Sequence, residues 1–110
     1  MRQIAVPDQQ PRNAELVARA CLGDQPAWDQ LVERYGRMVW AVARAHGLGR
    51  ADATDVSRVT WLLLTQHLGA LARPERLGDW LHTTATREAS RMCRLRGREA
   101  SAAGEHALRL

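Results

Sequence analysis

G-D-W-L-H-T-T-A-T-R-E-A-S-R-M-C-R-L-R-G-R, Gly78 to Arg98, decides how this chain is read. Asp79 can cap a helix N-terminus and Gly97 can end one, so the spacing predicts a helix over 79–97. Leu81, Ala85, Met92 and Leu95 recur at helical intervals and form one apolar face. Arg87, Arg91, Arg94, Arg96 and Arg98 largely avoid that face, and Thr83, Thr84, Thr86 and Ser90 add short hydroxyls. An apolar stripe backed by arginines and hydroxyls suits a helix that holds a phosphate backbone.

Upstream, the same period repeats. Ala70 to Leu77 reads as a connector, because Pro74 blocks a continuous helix. Before it, a helix over 50–68 carries Asp52 and Asp55 in its first turns, where the helix dipole favours acids. Its apolar face is read as Val56, Val59, Leu62 and Leu63, widened by Trp61 and Leu64. So wide a face implies burial on two sides or a surface for a partner. Gly47-Leu48-Gly49 separates it from a helix over 25–46, which Asp24 caps and Pro26 starts. Trp28, Leu31, Val32, Tyr35, Val39 and Val42 mark its buried side, so Trp28 and Tyr35 read as core. A short helix over 14–22, capped by Asn13, precedes it. Residues 1–12, with two prolines and three glutamines, read as a flexible arm. Residues 99–110 lose the period and read as a tail or the start of a linker. The expected fold is an all-α, compact bundle of about four helices without strands, formed by residues 13–98.

Composition narrows the function. The 110 residues carry a net charge of +4, and all sixteen basic residues are arginine. Arginine's planar fork suits phosphates and base edges, although GC-rich coding would favour the same choice. Cys21 and Cys93 are far apart and read as free, buried thiols. His46, His67, His82 and His106 form no metal spacing. Asp52 and Asp55 lack further ligands at a matching spacing, so a metal or cofactor is not expected. No nucleophile elbow, P-loop or zinc-protease motif is present, and the expectation is a binding protein rather than an enzyme. Without an apolar run of about 20 residues, membrane insertion is not expected and a cytoplasmic location is.

Taken together, the motifs resemble region two of bacterial extracytoplasmic-function sigma factors. Asp52-Ala53-Thr54-Asp55-Val56-Ser57-Arg58-Val59-Thr60-Trp61-Leu62 resembles that group's D-A-x-D-[LV]-x-Q-x-x-[FW]-L pattern. Arg73-Pro74-Glu75-Arg76-Leu77 resembles its connector, and Trp80-Leu81 with the downstream arginines its last helix. Trp28 to Tyr35, W-x-x-L-V-x-x-Y, resembles the start of the region. The family often has Gln-Glu where this chain has Arg58-Val59, and Asn where it has Arg87.

The resemblance implies a division of labour. Asp52, Asp55, Val56, Arg58, Val59 and Leu62 would bind core RNA polymerase at the clamp helices of its large subunit. Arg73, Arg76, Trp80, Thr83, Thr84, Arg87, Arg91 and Arg94 would bind the non-template strand of the promoter −10 element. Trp80 itself reads as core or pocket wall more than as a stacking platform. The group is usually held off by an anti-sigma factor, a further expected partner. A helical interaction module without DNA binding is the competing reading.

Overall fold

The computed structural model describes residues 11–109; of the expected arm over 1–12, residues 1–10 lie outside them. Four helices follow in order: α1 (Asn13–Cys21), α2 (Gln25–Ala45), α3 (Arg50–His67) and α4 (Leu77–Arg109). Two 3-10 turns, Leu68–Ala70 and Pro74–Arg76, fill the α3–α4 connector. No strand occurs among the described residues. The all-α architecture is the one the periodicity predicts.

The turns explain the boundaries. Gly23 (φ 88°) and Gly47 (φ 83°) take the left-handed conformation that follows α1 and α2. Asp24 caps α2, accepting from the Ala27 N–H at 3.4 Å while Arg19 pairs with its carboxylate at 2.8 Å. Asn13 does not cap α1: Arg12 occupies that position without a side-chain bond. Instead the Asn13 amide donates to the Tyr35 hydroxyl at 2.6 Å, and Arg34 donates to Asn13 Oδ1 at 2.8 Å. That exchange ties α1 to α2 through long-range contacts that capping rules do not see.

All four helices bury one face each. Leu16 and Val17 of α1, Leu31 and Val39 of α2, Leu64 of α3, and Leu77, Leu81 and Ala85 of α4 form the larger cluster. A smaller one joins Ala43, Leu48, Ala53, Val56 and Ala89, with Met92 and Cys93 at its edge. Trp28 and Tyr35 pack against the larger cluster, as their spacing predicts.

Other expectations change as well. The buried face of α3 is Ala53, Val56, Thr60 and Leu64, rotated from the one read above. Thr60 is admitted because its hydroxyl donates to the Val56 carbonyl at 2.8 Å, which removes the cost of burying it. Val59 and Leu62 are left at the surface, 37% and 58% exposed.

α4 is longer at both ends than 79–97. Pro74 opens a 3-10 turn that passes directly into the helix at Leu77, so Asp79 sits in the first turn and pairs with Arg76 at 3.5 Å rather than capping. Gly97 keeps a negative φ, and the helix runs through it to Arg109. Glycine costs a helix about 1 kcal/mol relative to alanine. Here strong helix formers surround it, and Arg96 bridges it to Glu99 at 2.8 Å. The core ends near Met92 and Cys93, so Leu95, expected inside, is 40% exposed. Cys21 is exposed rather than buried, since the short α1 turns that side outward. Cys93 is half-buried and donates to the His46 carbonyl at 3.4 Å.

Candidate functional site

Two surfaces bring the expected residues together. The first lies on α3. Asp55, Arg58, Val59 and Leu62 are exposed and share one face of that helix. Beside them a groove of about 590 Å³ runs between α2 and α3, lined by Trp28, Val32, Trp40, Trp61, Arg58 and Leu62. Trp61 meets Trp28 edge-on at 6.1 Å, and the Arg44 guanidinium lies 5.1 Å from the Trp40 ring centre. Apolar side chains in a groove edged by charge suit a protein partner better than a small polar ligand.

Two members of the expected polymerase-facing set are placed otherwise. Val56 is 2% exposed and belongs to the smaller core cluster. Asp52 is engaged within the chain: Arg96 of α4 donates Nη2 and Nε to its two oxygens at 2.6 and 2.9 Å. The Arg96 bonds hold the Asp52 carboxyl below its ordinary value of 3.8, against a smaller opposing effect of desolvation. The same bonds, with the one to Glu99, push the Arg96 guanidinium upward. Sequence spacing could not show this pair, because 44 residues separate its members.

The second surface begins at the α3–α4 connector. A groove of about 570 Å³ there is lined by His67, Leu71, Arg73, Arg76, Asp79, Trp80 and Thr83, among others. Trp80 is half-buried and packs against the larger core cluster, in keeping with a pocket wall. The exposed His67 ring stacks on it with an offset, parallel within 12° at 5.3 Å between centres.

From this groove a stripe runs along α4. Trp80, Thr83, Arg87, Arg91, Arg94 and Arg98 follow one another at steps of three or four residues, which keeps them on one side of a helix. The four arginines cover about 16 Å of helix axis. All four are exposed, on the side away from Leu81, Ala85 and Ala89. Glu88 approaches Arg91 at 3.5 Å; among the described residues no acid lies within ion-pair distance of Arg87, Arg94 or Arg98. Thr84, expected on this surface, is 4% exposed and points inward.

Reading by residue type missed His67 and Leu71. Arg98, named above among the arginines off the apolar face but not in the strand-binding set, extends the arginine spacing by one helical step. His67 could not have been found from spacing: its importance arises where α3 stops and the chain folds back toward Trp80.

Among the described residues, no group of three His, Cys, Asp or Glu could hold a metal ion. No described helix is long and apolar enough to cross a membrane.

Comparison with known proteins adds a family to this geometry. A family model described as sigma-70 region 2 matches residues 31–99, from within α2 to within α4. The chain is similar to RNA polymerase sigma factor NccH of Alcaligenes xylosoxydans xylosoxydans, 33% identical over 66 residues. The match covers 60% of this chain and 36% of that relative, so this chain aligns with little more than a third of its length.

Proposed function

This chain belongs to the sigma-70 region 2 family, and from that premise we propose that it acts in transcription initiation by joining core RNA polymerase to the promoter −10 element. It works by binding, in the cytoplasm, and not as an enzyme. The outer face of α3 (Asp55, Arg58, Val59, Leu62), with the tryptophan-lined groove beside it, docks on the clamp helices of the large polymerase subunit. The connector groove takes an unstacked base of the non-template strand, and the α4 arginines hold the phosphates that follow. An anti-sigma factor would compete for the exposed apolar groove between α2 and α3.

One observation carries the DNA half of this reading: the groove leads directly into a stripe of four exposed arginines on one side of one helix. Melted DNA offers bases that a groove can receive, whereas duplex DNA hides them. Arginine suits the strand because its fork bonds phosphate in two places.

The polymerase half is tested by pull-down with purified core enzyme. Asp55→Arg and Leu62→Asp should weaken capture, while Arg87→Glu should not. The DNA half is tested by salt titration of binding to a random-sequence 15-nucleotide single strand. Removing one phosphate-neutralising side chain, as in Arg87→Ala, Arg94→Ala or Arg98→Ala, should flatten the log–log slope by about 0.7. If polymerase capture holds but these changes leave strand binding untouched, the chain is an interaction module without DNA binding.

A further inference from the structure

We infer that His67 is the outer platform of a nucleobase site, and that an unstacked base lies on the ring face turned away from Trp80. The inference rests on the reading above, that the connector groove receives single-stranded DNA, and it names the residue that would hold the base there.

The geometry is specific. Trp80 is fixed from below, packed against the larger core cluster. His67 lies flat on it, 12° from parallel, and is nevertheless exposed. A histidine in the last turn of a helix is favoured by the dipole whatever it touches, and α3 ends at His67. The dipole does not require the ring to lie parallel on an indole. Parallel stacking makes an aromatic column two rings deep, anchored at one end and open at the other. A base added to the open end extends the column, and every base has a face that can do so. Histidine is among the side chains on which unpaired bases stack.

The surroundings fit a nucleotide rather than an apolar side chain. Arg73 and Arg76 line the same groove and supply cations for flanking phosphates. Thr83 offers a hydroxyl, and the Asp79 carboxylate can accept from an amino group on a base edge, though it is shared with Arg76 at 3.5 Å. Trp80 thus acts through His67, as the wall that keeps the platform flat.

The test compares two 12-nucleotide single strands of equal charge, one of random sequence and one made wholly of abasic residues, by fluorescence anisotropy with the full chain. His67→Ala should weaken binding of the base-bearing strand about 5- to 150-fold, the range found when a stacking aromatic is truncated. It should leave the abasic strand unchanged. His67→Phe should restore base-dependent binding, because a flat ring can replace a flat ring; it also reports that the fold is intact. Equal weakening of both strands, or no weakening of either, overturns the platform. The two readings fail separately. If Arg87→Glu weakens the base-bearing strand while His67→Ala does not, the DNA site stands and the platform falls. If the wild-type chain binds neither strand more tightly than duplex of the same sequence, both fall.

Discussion

Gly78 offers a sharp test of how tightly α2 and α4 are packed. It lies in the first turn of α4, where alanine should help: a helical Gly→Ala change is worth about 0.5 to 1 kcal/mol. A Cβ placed there would stand 3.1 Å from Tyr35 Cε1, with Cζ and Cδ1 at 3.8 and 3.9 Å. Carbon atoms prefer about 3.5 to 4.0 Å, so the ring would have to retreat by roughly half an ångström. It is poorly placed to do so. Its hydroxyl is held by the Asn13 amide at 2.6 Å, and its ring packs against the larger core cluster. Overpacking a close-packed site costs about 1 to 3 kcal/mol, which cancels or outweighs the helical gain. Gly36 is the internal control. It sits within α2, and a Cβ there meets only Val32 Cγ1 at an ordinary 3.9 Å.

Gly36→Ala should therefore raise the thermal midpoint by about 2 to 8 °C, and Gly78→Ala should leave it unchanged or lower it. Urea denaturation followed by circular dichroism gives the same comparison as free energies. In a Tyr35→Leu background the penalty at position 78 should shrink, because the obstructing ring edge is gone. Equal stabilisation by Gly78→Ala and Gly36→Ala would refute the reasoning, since the ring would then yield freely and α2–α4 packing would not be tight.

The ion pair and the core give three further outcomes. Arg96 depresses the Asp52 carboxyl below 3.8, so this pair stabilises the fold above that pH and its contribution is lost as pH falls through the lowered value. The deficit of Asp52→Asn relative to wild type should be present at pH 6 and shrink as pH falls below 3.8 in thermal melts, and high salt should reduce it at pH 6. Leu81→Ala, at a fully buried position, should cost about 2 to 5 kcal/mol in urea titrations. Leu95→Ala, past the end of the core, should cost about 0.5 kcal/mol or less; a large loss there would mean that the bundle extends further along α4.

Much of the architecture was legible because helical periodicity is a local property. The apolar steps in Leu31 to Val39 and in Leu81 to Ala85 report a buried face whatever the partner is. Glycine at 23 and 47 and the capping Asp24 act within a few residues, so their turns could be read directly. The resemblance that led to the family rested on the same kind of short spacing. Cap and stop rules went wrong where distant contacts intervened. Asn13 was drawn away to Tyr35, and Gly97 was carried inside a helix by its neighbours.

By itself, then, the sequence determined four helices, their order and the row of arginines on α4, since each follows from interactions within a turn or two of chain. Only the tertiary structure decided which side of α3 faces inward, that Asp52 is already held by Arg96, and that His67 lies flat on Trp80. The last two outcomes depend on residues 44 and 13 positions apart. Their meeting is set by how packed helices cross, which no spacing along one helix records.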